Sequence, residues 1–150
     1  MRLDQKLVRV NSVFIDTAPI IYHIEAHPQY GELAKGIFDL LLSGKLHGYS
    51  SVITIAEVLP KPVELGNEKL ARWFINFLTN GPNLTMIDIN DQIAISAGKM
   101  RGRYTWLRAL DALQIATAMD VGADLFITND SALKKVRDLK VLVLKDFLDH

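Results

Sequence analysis

The sequence predicts an α/β protein, with a parallel sheet covered by helices on both faces. Short apolar runs rich in β-branched residues alternate along the chain with stretches of helical periodicity. Strands separated by helices favour right-handed crossovers, which make neighbouring strands parallel. No repeat or long linker divides the chain, so we expect a single domain over residues 1–150.

The first half of the chain alternates strands with helices. A helix begins near Thr17 and Pro19, because proline suits the first helical turn. Pro60 and Pro62 are expected to break a later helix. The predicted elements are a strand over 12–16, a helix from Thr17, a helix over 30–45 that stops at Gly44, a weak strand over 46–50, and a helix over 51–59.

The second half continues the same alternation. Glycines at 81 and 122 mark two helix ends. The predicted elements are a helix over 67–81, a strand over 84–89, helices over 90–103 and 110–122, a strand over 124–128, a short helix over 131–136, a strand over 140–144 and a final helical turn.

Composition and charge narrow the possible classes of protein. The chain has 17 basic and 17 acidic residues, so its net charge does not indicate a polyanionic partner. It has no cysteine, which excludes disulfides and thiolate metal sites. No apolar run approaches the roughly 20 residues of a membrane span, and the N-terminus lacks the apolar core of a signal peptide. We therefore expect a cytoplasmic protein without a membrane partner.

Four carboxylates lie in mainly apolar surroundings: Asp16, Glu57, Asp111 and Asp130. Such groups are seldom buried unless they are paired, hydrogen-bonded or bound to a metal. Each also has a simpler interpretation. Asp16 or Thr17, Asp111 and Asp130 could cap the helices that follow them, and residues 54–57 match a capping box.

Taken together, the four acids favour a cation site. The carboxyl ends of parallel strands share one edge of the sheet, and ligands bind there at the point where strand order reverses. Two carboxylates about 4 Å apart repel by roughly 4 kcal/mol at an effective dielectric near 20. Oxygen ligands without cysteine or suitably spaced histidine favour Mg²⁺ or Mn²⁺.

The sequence resembles the PIN-domain family, in particular the VapC-like toxins of toxin–antitoxin pairs. The resemblance spans nearly the whole chain, through VFIDTAPIIY, SSVITIAEV, LDALQIATAMDVGADLFITND and LKVLVLKDF. The four acids follow in the expected order. Two details depart from the family pattern: SALKKV lacks the aromatic residue often found after the last aspartate, and YTWLRA lacks a proline often found before Asp111.

This resemblance implies an α/β/α sandwich with a parallel sheet in the order 3-2-1-4-5. It also implies a Mg²⁺- or Mn²⁺-dependent endoribonuclease, often a homodimer and often restrained by a small antitoxin protein. We expect the four acids to be the catalytic and metal-binding residues. Thr17, Thr128 and Asn129 are candidates for orienting the carboxylates from a second layer.

Local basic patches are candidates for RNA contact. Residues 92–110 contain no acid but carry several cations interleaved with Tyr104 and Trp106, an arrangement that suits phosphate contact and base stacking. The alternative is a solvated helix end whose dipole the cations complement. A second patch follows Asp130. The candidate cations are Lys99, Arg101, Arg103 and Arg108 in the first patch, and Lys134, Lys135 and Arg137 in the second.

Two other functions remain open. A PIN-like module could bind RNA or protein without cleaving, although it would have little need of four carboxylates. A phosphatase could use FIDTA on a similar sheet, but the second aspartate that it requires is replaced by Ala18. Asp88 and Asp91 are expected to be cap and surface residues and not ligands.

Overall fold

A five-stranded parallel sheet forms the centre of the protein, in a computed structural model that describes residues 1–148. The strands are β1 (Ser12–Ile15), β2 (His47–Ser51), β3 (Leu84–Ile87), β4 (Leu125–Thr128) and β5 (Val141–Val143). Their order is β3-β2-β1-β4-β5, and every neighbouring pair is parallel. The predicted fold class and strand order are confirmed, whereas the single domain over residues 1–150 stays a prediction.

Helices connect the strands and cover both faces of the sheet. They are α1 (Leu3–Leu7), α2 (Thr17–Ile24), α3 (Gly31–Leu42), α4 (Val52–Val58), α5 (Pro60–Glu64), α6 (Glu68–Asn80), α7 (Asp91–Arg103) and α8 (Ala109–Asp120), with 3-10 helices at Ser131–Lys135 and Leu144–Phe147. Within residues 1–148, no helix is long and apolar enough to cross a membrane.

Two features differ from the prediction. The short helix α1 was not expected, and it forms because Leu3 and Leu7 lie one turn apart and are both buried. Pro60 and Pro62 were expected only to break a helix. α4 does end before them, at Val58, but they also form the first turn of α5, where a proline has no hydrogen bond to lose.

Side chains along the central strand alternate between two cores. Val13 and Ile15 pack into the core formed with α1, α2, α3 and α6, while Phe14 points to the opposite core with α7 and α8. Phe126 on β4 joins Phe14 in the second core, with their rings stacked and centroids 5.4 Å apart. This arrangement explains why residues 13–15 of β1 are all apolar: both faces of the strand are buried there.

Strand order reverses between β1 and β4. The chain builds β2 and β3 on one side of β1 and then β4 and β5 on the other. In this register Ile15 pairs with Ile127, and the Asp16 amide extends the ladder to the Ile127 carbonyl at 2.9 Å. Asp16, which follows β1, and Thr128, which ends β4, therefore meet at the switch point.

Candidate active site

A cavity of about 300 Å³ opens at the carboxyl edge of the sheet, beside the switch point. It brings together all four predicted carboxylates and all three residues predicted to support them. These lining residues are Asp16, Glu57, Asp111, Asp130, Thr17, Thr128 and Asn129. Residues separated by most of the chain thus share one small, polar cavity.

Asp16 lies at the centre of this cavity and caps α2. Its Oδ1 accepts a hydrogen bond from the Thr17 amide at 2.9 Å, and its Oδ2 accepts one from the Thr128 hydroxyl at 2.9 Å. Burial raises the pKa of Asp16 to about 6, although these two hydrogen bonds oppose the shift. The nearby charges of Asp111 and Glu57 raise the pKa of Asp16 further, as expected for acids that share one site.

Asp130 caps the 3-10 helix that follows β4. Its Oδ1 accepts from the Ala132 amide at 3.0 Å, and its own amide donates to the Thr128 hydroxyl at 3.1 Å. The capping interpretation is therefore correct for both Asp16 and Asp130. Among the described residues Asp130 Oδ2 has no hydrogen-bond partner, so capping leaves one oxygen available to a ligand.

Glu57 lies in the last turn of α4 and does not form the predicted capping box. The N-cap of α4 is Ser51, whose hydroxyl accepts from the Ile53 amide at 3.2 Å. Thr54 is buried inside the helix, and Glu57 Oε1 accepts a hydrogen bond from the Thr17 hydroxyl at 2.7 Å. The Glu57 carboxylate is therefore held by a residue of the neighbouring helix α2 and not by the N-terminus of α4.

Asp111 does not cap α8, so the capping alternative is wrong for this residue. The helix begins earlier, with Arg108 at the N-cap and Asp111 in the first turn, where the helix dipole favours a carboxylate. Asp111 Oδ2 accepts from Arg108 Nε at 3.2 Å. The Arg108 side chain is 79% exposed, so the pair lies at the mouth of the cavity.

The three supporting residues differ in their contacts. Thr17 donates to Glu57 and Thr128 donates to Asp16. Asn129 has different partners: its Nδ2 donates to the Tyr22 hydroxyl at 3.1 Å, and its Oδ1 accepts from the Lys145 amide at 2.9 Å. Asn129 therefore ties α2 to the segment after β5 and shapes the cavity wall.

The donor set fits a hard divalent cation with water in its shell. All four acids offer oxygen, and Glu57, Asp111 and Asp130 each keep one oxygen without a hydrogen bond among residues 1–148. No three acidic or histidine side chains in this part of the chain lie close enough to enclose an ion by themselves. The other oxygens of these carboxylates face protein donors, and Mg²⁺ commonly keeps several waters beside one or two carboxylates.

The predicted basic residues lie mostly outside the cavity. Arg108 is the one of the five principal candidates that lines it, within residues 1–148. Arg101 Nε donates to the Leu107 carbonyl at 3.2 Å, Arg103 pairs with Asp138 at 2.9 Å, and Lys134 pairs with Asp146. Lys99 is exposed on α7.

The two basic patches meet on the surface. Lys135, from the patch after Asp130, lies over the Trp106 ring at 5.7 Å from its centroid. The Tyr104 hydroxyl donates to Asp138 at 2.8 Å, beside the Arg103–Asp138 pair. Exposed cations and a 44%-exposed indole thus form a continuous surface next to the 3-10 helix that Asp130 caps.

Asp88, Asp91 and a larger cleft lie apart from this cluster of acids. Asp88 and Asp91 are exposed and lie outside the cavity, and the cap of α7 is Asn90. A larger cleft of about 1040 Å³ lies at the opposite edge of the sheet. Its acids have structural partners: Asp124 accepts from two backbone amides at the start of β1, and Asp138 accepts from Arg103 and Tyr104.

Sequence reasoning missed the polar residues beneath the cavity. Gln114 is 1% exposed, and its amide nitrogen donates to the Thr54 hydroxyl at 2.9 Å. Tyr22 forms part of the cavity wall beside Asn129. The available signal was a single glutamine inside the apolar segment ALQIATA, since a buried amide needs a partner in the fold.

Comparison with known proteins identifies the family. The family model of the PIN domain matches residues 13–139. The chain belongs to the PIN domain family. This membership confirms the resemblance found in the sequence, and the match begins at β1 and extends past the 3-10 helix that Asp130 caps. No curated protein matches the chain by sequence.

Solved structures share the fold of this PIN domain at low sequence identity. VapBC2 from Rickettsia felis, bound to a DNA fragment from its promoter, has a TM-score of 0.72 at 20% identity, covering 88% of this chain and 98% of that chain. A toxin–antitoxin complex from Klebsiella pneumoniae has a TM-score of 0.65 at 21% identity, covering 88% and 97%. VapC20 from Mycobacterium tuberculosis, a sarcin–ricin loop cleaving toxin, has a TM-score of 0.62 at 14% identity, covering 76% and 86%.

Proposed function

We propose that this PIN domain is a Mg²⁺- or Mn²⁺-dependent endoribonuclease and the toxin of a toxin–antitoxin pair. The observation that carries the proposal is the convergence of Asp16, Glu57, Asp111 and Asp130 on one cavity at the switch point of the sheet. Burial and the nearby charges of Asp111 and Glu57 raise the pKa of Asp16, so the ionised form of Asp16 is unfavourable in this site without a positive partner. A divalent cation supplies that partner.

Each carboxylate has a proposed role in holding the cation. Asp16 and Asp130 are the central ligands, because they follow the two adjacent strands at the switch point. Glu57 and Asp111 complete the site directly or through water. A bound divalent cation would lower the pKa of a water molecule and offset negative charge on the phosphodiester. The protein's own contribution is to hold the oxygens in place, which Thr17 and Thr128 do through hydrogen bonds.

An RNA substrate is supported by the fold relative VapC20 and by the charges around the cavity. Arg108 lies at the cavity mouth and can contact a phosphate while Asp111 holds its guanidinium. Exposed cations beyond Arg108 would extend the contact along the RNA strand. The proposed RNA-binding residues are Lys99, Arg101, Arg103, Arg108 and Lys134.

A small antitoxin protein is the proposed partner, and a homodimer is the proposed assembly. The Klebsiella pneumoniae relative was solved as a toxin–antitoxin complex. For this chain, copurification of the toxin with the product of an adjacent short gene would test the partner. Size-exclusion chromatography with light scattering would test the dimer.

Cleavage of RNA by single-residue variants tests the proposed activity. Wild-type protein should cleave RNA with Mn²⁺ and stop when a chelator removes the metal. Asp16→Asn and Asp130→Asn should each lose at least about 100-fold in rate, in line with the effect of removing groups that stabilise developing charge. Asp91→Asn is the matched control, since Asp91 is exposed and outside the cavity. Wild-type rates in the Asp16 and Asp130 variants would rule out the assignment.

Two assays on the same proteins distinguish the proposed nuclease from a non-cleaving binding module and from a phosphatase. A non-cleaving module would bind RNA without producing new ends, and sequencing of the reaction products would show none. A phosphatase would release the chromophore from a chromogenic phosphate ester. The proposal expects new RNA ends that depend on Mn²⁺ and no release of the chromophore.

A further inference from the structure

A row of buried polar side chains runs beneath the cavity, from α8 through α4 to α2. Its members are Ser51, Gln114, Thr54 and Thr17, which are between 0% and 9% exposed. We propose that Gln114 is a positioning residue, which orients Glu57 through the hydroxyls of Thr54 and Thr17. This inference rests on the proposed function, since it assigns a role to Glu57 as a ligand.

The first contact fixes the orientation of the Gln114 amide. The Ser51 hydroxyl accepts a hydrogen bond from the Ile53 amide at 3.2 Å, so its own proton is free to be donated. It donates that proton to Gln114 Oε1. The Gln114 nitrogen must then face the other way, toward Thr54 Oγ1 at 2.9 Å. Ser51 therefore both caps α4 and fixes the orientation of the Gln114 amide.

The direction of the remaining hydrogen bonds follows from the Glu57 carboxylate, at the other end of the row. A carboxylate only accepts, so the single Thr17 proton is directed to Glu57 Oε1 at 2.7 Å. The Thr17 oxygen can then only accept from Thr54, which lies 3.2 Å away. Thr54 is in turn held as an acceptor by the Gln114 N–H, and this directs its proton away from Gln114.

Ser50 supports the middle of the row. Its hydroxyl lies 2.9 Å from Thr54 Oγ1 and 3.1 Å from the Ile15 carbonyl. When Ser50 donates to Thr54, both lone pairs of Thr54 are occupied and its proton points to Thr17. Every hydrogen bond in the row then runs in one direction, from Ser51 toward Glu57, and cooperative polarisation strengthens the last bond.

The hydrogen bonds of Gln114 reach farther than those of a second buried polar residue on the same helix. Thr117 is also buried on α8, but its hydroxyl donates to the Leu113 carbonyl of the same helix at 2.7 Å and makes no hydrogen bond to another element within residues 1–148. Gln114 instead spans from α8 to α4, and its contacts continue to a cavity carboxylate. Partners of metal ligands in other proteins commonly change metal affinity or activity by about 10–100-fold.

Substitutions of similar volume distinguish the role of the polar row from the general effect of losing a buried polar group. Gln114→Leu and Thr54→Val each remove the polar contact at similar volume. Thr54→Ser keeps the hydroxyl, and Thr117→Val removes a buried hydroxyl that lies outside the row. For each full-length protein, calorimetric titration with Mn²⁺ gives the dissociation constant, thermal melting without metal gives stability, and RNA kinetics give kcat and KM.

Gln114→Leu and Thr54→Val should weaken Mn²⁺ binding about 10-fold or more. They should lower kcat while KM for RNA stays unchanged. Thr54→Ser and Thr117→Val should bind Mn²⁺ as the wild type does, even where melting shows that Thr117→Val has lost stability. If Gln114→Leu unfolds below the temperature of the titration, the difference in Mn²⁺ affinity between Thr54→Val and Thr54→Ser still tests the row.

The outcomes also separate this inference from the proposed function. If the wild type binds Mn²⁺ and Glu57→Gln weakens binding, but Gln114→Leu and Thr54→Val bind normally, the role of Gln114 is overturned and the metal site stands. If the wild type does not bind Mn²⁺ at all, the proposed function fails first and the inference fails with it.

Discussion

The Thr128 hydroxyl joins Asp16 to Asp130. It donates to Asp16 Oδ2 at 2.9 Å and accepts from the Asp130 amide at 3.1 Å, while the Thr128 side chain is 1% exposed. One buried side chain on β4 therefore sets the distance between the two acids at the switch point. A threonine at a strand end is unremarkable in the sequence, but its two bonds couple the end of β1 to the turn after β4.

Thr128→Val should destabilise the protein and weaken the metal site. Valine has nearly the same shape but leaves Asp16 Oδ2 without its donor and the Asp130 amide without an acceptor. An unsatisfied buried group costs about 1–3 kcal/mol, so the free energy of unfolding should fall by that amount in urea titrations. Thr128→Ser keeps both bonds and should stay near the wild type. Equal stability of the valine and serine variants would contradict this prediction.

Removal of the Asp16 charge should stabilise the metal-free protein near neutral pH. The folded pKa of Asp16 is about 6, above the ordinary value of 3.8. The native state therefore binds the proton more tightly than the unfolded chain does. The stability that this proton contributes is fully present below pH 3.8 and is lost as pH rises through about 6.

Asp16→Asn makes this pH effect measurable. A shift of this size corresponds to at most about 3 kcal/mol, since one pKa unit is about 1.4 kcal/mol. Without metal, Asp16→Asn should unfold at a higher temperature than the wild type at pH 7.5, and the difference should shrink toward pH 4. Asp91→Asn should show no such trend. A gap between Asp16→Asn and the wild type that does not change with pH would refute the assigned pKa.

Mn²⁺ should raise the melting temperature of the wild type. A ligand that binds only the native state stabilises it by about 2.7 kcal/mol when its concentration is 100 times the dissociation constant. Protons compete with the metal for Asp16, so the increase should be smaller at pH 5 than at pH 7.5. Asp16→Asn should melt at the same temperature with and without Mn²⁺. An equal increase in both proteins would show that the metal binds elsewhere.

Arg108→Ala should impair RNA binding more than stability. The Arg108 side chain is 79% exposed, and exposed ion pairs contribute roughly 0–1 kcal/mol to stability. KM for RNA should rise, and the slope of log affinity against log salt should fall by roughly 0.7 if one phosphate contact is lost. Arg72→Ala is the control, because Arg72 is 71% exposed and pairs with Glu68 on α6. Unchanged salt dependence in Arg108→Ala would exclude a phosphate contact there.

The positions of Asp16 and Asp130 could be predicted from the sequence, because each follows an apolar strand and parallel strands end at one edge. The contacts of Glu57 and Asp111 could not. Their capping alternatives depended on helix starts, and α4 and α8 begin at positions that the local sequence does not distinguish. Pro60 fits both the end of one helix and the start of another. Gln114 was missed because its partners Ser51 and Thr54 lie 63 and 60 residues away along the chain.

The wide separation of the acids along the chain has a consequence during synthesis. Thr128 and Asp16 are 112 residues apart, and they meet only after β4 has paired with β1. A nascent polypeptide that carries Asp16, Glu57 and Asp111 but not yet β4 has an incomplete cavity. The proposed nuclease activity would therefore be missing from such a nascent chain, and it would require translation of β4 and its pairing with β1.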